Sequence, residues 1–221
     1  MTTEWGKFIK TTWNYISETE VFRAFKNAIY ACGKSMLSKK NIRQKASTYV
    51  GPDQALPPIN IWQTILDQGI QIEHLPIKEQ KEGIKYAGKL YYDSQEDMWS
   101  IYYADTLSWE SQRYIVAHMF GHYVLHGEPN REAVNVIGRK VQVGAKDLEA
   151  DVFAREILMP KHLVLSEGEE AAQETDDEFQ FLEEMAERFC VKSHVMKAHL
   201  DTFGVTRNKL EDQKTNSTPR F

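Results

Sequence analysis

A pair of histidines four residues apart, His118 and His122, constrains this chain more than any other feature. They lie in a stretch where small or apolar residues recur at helical spacing from Tyr114 to Leu125, which predicts an α-helix with one face in a core. Ser108 can cap this helix at its N-terminus. Residues four apart on a helix share a face, with about 5–6 Å between their Cβ atoms. The two imidazoles could therefore bind one metal ion.

The residue after the first histidine is the unusual one. In zinc peptidases with a His-Glu-x-x-His helix, the glutamate at this position is the general base. Met119 stands there in this chain, and a thioether cannot take up or release a proton. The histidine spacing alone also fits two partly buried polar side chains on an ordinary helix. A metal site is predicted only if a third ligand is found.

A second segment, residues 146–159, offers that ligand. It has the pattern of a helix that ends before Pro160, and it carries Glu149 and Asp151 among apolar neighbours. A carboxylate in such surroundings is costly unless it is paired or bound to a metal. Zinc held by two histidines usually takes one more carboxylate or imidazole. His126 is a poorer candidate, because it lies roughly 12 Å along the axis from the first histidine at 1.5 Å per residue.

Together, these segments resemble the ImmA/IrrE family of zinc metallopeptidases, which are bacterial and phage regulatory proteins. The resemblance is carried by the run from Gln112 to His126 and by the run from Glu149 to Pro160, and it extends over about residues 55–204. It implies zinc as the cofactor. The zinc ligands that it implies are His118, His122 and Glu149. The family's catalytic glutamate has no counterpart, because its position is Met119.

The resemblance also implies the fold. We expect an α+β, zincin-like domain with a small, mostly antiparallel sheet packed on the histidine-bearing helix and on a second, glutamate-bearing helix. Gly51-Pro52 marks a boundary, so the predicted organisation is an N-terminal helical arm over 1–50, the peptidase domain over 51–204 and a frayed tail over 205–221.

Two aromatic-rich segments, residues 89–93 and 99–103, predict a β-hairpin. In metallopeptidases with this kind of helix, a sheet edge beside the metal often binds the substrate as an added strand. Tyr102 and Tyr103 are therefore candidate substrate-binding residues, with core packing of at least one of them as the alternative. Gly121, inside the histidine helix, costs about 1 kcal/mol relative to alanine and predicts close approach of another backbone or of a substrate.

Composition and charge limit the other function classes. The formal net charge is −5, and no apolar run reaches the roughly 18 residues of a membrane span. The two cysteines lack metal-type spacing and the start of the chain lacks the pattern of a secretory signal, which together predict a cytoplasmic protein. A basic cluster in the N-terminal arm could bind nucleic acid or an acidic partner, but we favour the solvated face of a helix. Its members are Lys34, Lys39, Lys40, Arg43 and Lys45.

Three functions follow. The first is a zinc peptidase that, by resemblance, cuts a helix-turn-helix transcriptional repressor, with Glu128, Glu132 or Glu156 replacing the missing base. The second is a pseudopeptidase that binds a regulator or peptide without cutting it. The third is a nucleic-acid-binding regulator that uses the basic arm. Met119 predicts weak or absent peptidase activity, and direct nucleic-acid binding is not expected.

Overall fold

The structure, a computed structural model, describes residues 37–51, 56–75, 86–130, 134–137 and 144–210. Most of the predicted arm and the end of the predicted tail lie outside these ranges. In chain order the elements are α1 (Lys39–Ser47), α2 (Ile61–Leu66), β1 (Gln71–His74), β2 (Tyr86–Asp93), β3 (Met98–Tyr103), α3 (Trp109–Asn130), β4 (Val134–Ile137), α4 (Ala145–Leu158), α5 (Lys161–Glu174), α6 (Glu178–Arg188) and α7 (Ser193–Phe203).

The strands form one small sheet in the order β1-β3-β2-β4. β2 pairs antiparallel with both β3 and β4, and only β1 pairs parallel, with β3. Leu90 and Ile101 face each other across the central pair and are 1% and 0% exposed, so one face of the sheet lies in the core. Asp93 closes the hairpin, since its carboxylate accepts the Gln95 amide at 2.8 Å. The predicted hairpin and the mostly antiparallel α+β fold are confirmed.

Helix α3 lies between the sheet and α4. Its contact with α4 is close at Gly121, where a Cβ atom would come within 3.1 Å of the Cα and carbonyl oxygen of Ala150. That distance is shorter than nine in ten real Cβ contacts, so a side chain here would require the backbone of α4 to move by a few tenths of an ångström. The predicted close approach is therefore to the backbone of α4. This contact places the histidines of α3 opposite the carboxylates of α4.

The end of the predicted arm is part of the core. Ile42 and Ala46 of α1 are each 1% exposed and belong to the same apolar cluster as the residues of α3 and α4. At the other end, Leu210 is 2% exposed, although it falls in the predicted tail. The packed unit thus extends beyond the predicted 51–204 boundaries on both sides. Among the helices of the described ranges, none combines the length and apolar character that a bilayer span requires.

Candidate metal centre

His118 and His122 lie one turn apart on α3 and are 6% and 2% exposed. Their Nε2 atoms are 3.1 Å apart. Positions 117 and 119 on either side of His118 are buried, as are positions 120 and 121 before His122, whereas position 123 after it is half-buried. The helix therefore presents two imidazole nitrogens to a single point inside the protein.

Asp147, in the first turn of α4, is the third member of the cluster. Its Oδ1 atom lies 3.2 Å from Nε2 of His122, and one donor atom from each of the three residues lies within 4.8 Å of the others. Its Oδ2 atom accepts the Gly144 amide at 2.9 Å and so caps the helix. Because capping fixes one carboxylate oxygen, the other is held facing the histidines.

Asp151, one turn further along α4, orients His118. Its Oδ1 atom lies 2.8 Å from Nδ1 of His118 and accepts the hydroxyl of Tyr114 at 3.1 Å. Burial acts to raise the pKa of Asp151, but the hydrogen bond and charge of His118 lead the effects that leave it lowered. The carboxylate therefore stays ionised and favours a proton on Nδ1 of His118. The lone pair of Nε2 then faces the cluster.

The protonation states suit a cation. Burial lowers the pKa of His122, which is therefore neutral at pH 7. Burial also opposes ionisation of Asp147, yet the hydrogen bonds from His122 and from the Gly144 amide help to keep its pKa below the usual value. Nε2 of His122 lies between Nε2 of His118 and Oδ1 of Asp147, so a proton on it can be shared with either neighbour, and a cation bound by all three atoms would replace that proton. Two imidazoles with one carboxylate match the ligand set of catalytic zinc sites.

The comparison with known proteins agrees with this geometry. A family model for the IrrE N-terminal-like domain, a peptidase family, matches residues 66–201, which is more than half of the chain. The chain belongs to this IrrE N-terminal-like family. The resemblance to ImmA/IrrE proteins is thereby confirmed, and the match includes the whole of α3 and α4. None of the curated proteins compared matches the chain.

The IrrE-like domain does not bring Glu149 to the histidine pair. This side chain is 5% exposed, accepts the amide of Leu37 and lies 3.3 Å from Nε2 of His126 through its other oxygen. Residues two apart on a helix point in nearly opposite directions. Because Asp147 faces the cluster, Glu149 faces away from it. The predicted ligand role of Glu149 stays a prediction, and the geometry favours Asp147.

Sequence reasoning missed Asp147, although a signal was present. The spacing Asp147-x-x-x-Asp151 places both aspartates on one face of α4, as the histidine spacing does on α3. A carboxylate pair at this spacing makes Asp147 a candidate beside Glu149, but it does not by itself decide between them. His126 lies beside Glu149, on the side of α4 that faces away from the cluster. Burial lowers its pKa to about 4 and keeps it neutral.

Met119 lies in the core of the IrrE-like domain. It is 0% exposed and packs beneath β2, where a Cβ on Gly88 would lie 3.4 Å from its Cγ atom. Among the candidate substitutes for the missing base, Glu156 is engaged elsewhere, since its Oε1 accepts from Nε of Arg43 at 2.6 Å. Glu132 and the side chain of Glu128 lie outside the described part of the chain.

The remaining predicted residues have other contacts. Tyr103 is 9% exposed and its hydroxyl lies 2.8 Å from Nε2 of His74, so core packing accounts for it. Tyr102 is half-buried, with Nζ of Lys89 5.8 Å from its ring centroid, and its role as a substrate-binding residue stays a prediction. In the basic cluster, Arg43 pairs with a carboxylate and Lys45 donates to a main-chain carbonyl of α3.

Proposed function

We propose that this IrrE-like protein is a zinc-dependent peptide-binding regulator whose peptidase activity is weak or absent. The observation that carries the proposal is a complete set of metal-binding groups next to a side chain that cannot act as a base. His118, His122 and Asp147 converge, while Met119 fills the general-base position and is fully buried.

Each residue of the centre has a definite task. His118, His122 and Asp147 would hold the ion, which would supply Lewis acidity when bound. Asp151 and Tyr114 fix the ring of His118 in the tautomer whose Nε2 atom can bind a cation. In an active zinc peptidase, a glutamate would take a proton at the position of Met119. General acid–base help is worth about 10²–10⁴ in rate, so its loss favours binding over cleavage.

A helix-turn-helix transcriptional repressor is the partner that we propose, because the family resemblance implies one. We propose that the protein binds this repressor as a peptide-like segment and alters its regulation without rapid cleavage, in a cytoplasmic setting. An alternative within the same proposal is that a slow, metal-dependent cleavage remains.

The test compares the wild type with Met119→Glu, with Met119→Gln as the matched control of similar shape but no base. Each is incubated with a purified candidate repressor, with and without a chelator, while bound metal and thermal unfolding are measured. We expect the wild type to bind zinc and the repressor with little cleavage, and Met119→Glu to gain chelator-sensitive cleavage of about 10²–10⁴. Met119→Gln should stay inactive. A wild type that cleaves as fast as Met119→Glu would contradict the proposal.

A further inference from the structure

We propose that a cavity beside the metal centre binds a carboxylate of the peptide ligand through Arg155. This inference rests on the proposed peptide-binding function and names the chemistry that the ligand must carry. The cavity has a volume of about 470 Å³, within the range of roughly 300–1,000 Å³ that is usual for ligand sites. It lies between α3, α4 and α7, with residues of all three helices in its walls.

The cavity adjoins the metal centre through two shared residues. Asp151 and Tyr114 line it, and the same two side chains hold the ring of His118. A ligand in the cavity therefore lies against the groups that orient one of the proposed zinc ligands. This position suits part of a peptide whose neighbouring residues reach the metal.

Arg155 is the side chain that gives the cavity its chemistry. It is half-buried, lines the cavity and makes no side-chain hydrogen bond or ion pair with any residue in the described ranges. Asp151 lies one turn before it, close enough for the positive charge to lower the carboxylate pKa, but the two do not form an ion pair. Its nitrogens are not buried, so the guanidinium is in contact with water in the cavity, and a bound anion would displace that water and pair with the charge.

The other arginines of the described ranges show how unusual this is. Arg43, Arg188 and Arg207 each pair with carboxylates, at 2.6, 2.5 and 2.8 Å respectively. Arg113 donates to a main-chain carbonyl at 3.2 Å. Among the arginines of this part of the chain, Arg155 is the one that lines the cavity, and it does so without a carboxylate partner.

The surroundings favour a carboxylate over a phosphate. The charged groups of the lining are Glu110, Asp151, Arg155 and Lys192, whose formal charges cancel. A monoanion adds one negative charge to this set, whereas a phosphate dianion adds two beside existing carboxylates. A planar carboxylate also matches the paired N–H groups of a guanidinium. The rest of the wall is mostly apolar, so an apolar residue should accompany the carboxylate. Leu107, Ile115, Val191, Val195 and Ala198 form that apolar part.

The carboxylate could be a chain end or an acidic side chain, and matched peptides distinguish them. The probes are Leu-Ala-Leu-Ala as the free acid, the same peptide as the amide, and Leu-Ala-Leu-Glu as the amide, each carrying an uncharged methoxycoumarin label. Binding to the zinc-loaded full chain is measured by fluorescence anisotropy for the wild type, Arg155→Lys and Arg155→Gln. Thermal unfolding of each variant confirms that it is folded.

We expect the wild type to prefer at least one carboxylate peptide over the neutral amide by about 10–100-fold, as for hydrogen bonds to charged groups. Arg155→Gln should lose this preference, and Arg155→Lys should keep part of it. Whichever acid binds more tightly identifies the source. An equal preference in Arg155→Gln and the wild type, or no binding of any peptide, would overturn the inference.

The same measurement on His122→Ala separates this inference from the proposed function. If that variant loses zinc but keeps the carboxylate preference, the cavity binds its ligand independently and the metal-dependent function is wrong. If zinc is bound and the repressor is engaged while the peptides show no preference, the proposed function stands and the role of Arg155 is wrong.

Discussion

The carboxylates on the two faces of α4 make different contacts. On one face, Asp147 and Asp151 contact the histidines of α3. On the other face, Glu149 accepts the amide of Leu37, which lies just before α1, and Glu156 pairs with Arg43 in α1. Both contacts hold α1 against α4. Residues four apart share a helix face, and so do residues seven apart. The position around the helix therefore separates the carboxylates that face the histidines from those that contact α1 and the residues before it.

The two faces also differ in charge. The pKa values of Asp147 and Asp151 are lowered, which keeps both carboxylates ionised at the metal centre. Burial raises the pKa of Glu156, and the hydrogen bond from Arg43 only partly offsets it. The face with Asp147 and Asp151 thus presents negative charge where a cation could bind. On the opposite face, Glu156 pairs with Arg43 within the fold.

The largest expected effect separates the faces by metal affinity. Asp147→Asn should weaken zinc binding by more than the roughly 10–100-fold that is typical of losing an outer partner, because it removes a ligand. Glu149→Gln, the matched change on the opposite face, should leave zinc affinity near that of the wild type. Competition with a chromophoric chelator measures both. The reverse result would assign the third ligand to Glu149 and contradict the proposed role of Asp147.

A smaller effect is expected at Asp151. Asp151→Asn removes the charge that orients His118 but leaves the three ligands in place, so zinc affinity should fall by about 10–100-fold. Tyr114→Phe, which removes only one hydrogen bond to the same carboxylate, should cost less. These affinities are compared at constant pH with the same chelator. Equal losses for Asp151→Asn and Asp147→Asn would mean that Asp151 also binds the metal directly.

The smallest effect concerns the face of α4 that contacts α1, and it appears in stability. Arg43→Ala leaves the buried carboxylate of Glu156 without its partner, while the arginine side chain itself is 35% exposed. We expect a loss of about 2 kcal/mol in the free energy of unfolding, less than the roughly 3–5 kcal/mol for a fully buried pair. Urea denaturation measures this, with exposed Lys40→Ala as the control. Zinc affinity should not change; a parallel loss of zinc would show that α1 supports the metal centre.

Local patterns predicted much of this fold. Ser108 and the helical periodicity indicated α3, Pro160 indicated the end of α4, and the aromatic-rich segments indicated the hairpin of β2 and β3. These features depend on neighbouring residues in the chain, which the sequence displays directly. The histidine pair was found for the same reason, since its geometry is fixed within one helix.

The third member of the cluster could not be found in the same way. Carboxylates occur on both faces of α4, and buried residues such as Leu148, Ala150 and Phe153 leave its orientation open. That orientation is set by packing against α3, which is a tertiary contact. The inclusion of α1 in the core was missed for a similar reason. Gly51-Pro52 is typical of a domain boundary. Ile42 and Ala46 precede it in the chain, but they pack in the same core as the residues of α4.

Gly121 lies one residue before His122, and Ala150 lies between Glu149 and Asp151 in the sequence. The close contact of the two helices is therefore in the same helical turns as these histidine and carboxylate side chains. A Cβ atom at position 121 would require the backbone of α4, the helix that carries Asp147, to move by a few tenths of an ångström. Metal–ligand distances tolerate changes of only about 0.2 Å. The spacing between His122 and Asp147 therefore depends in part on a residue that has no side chain.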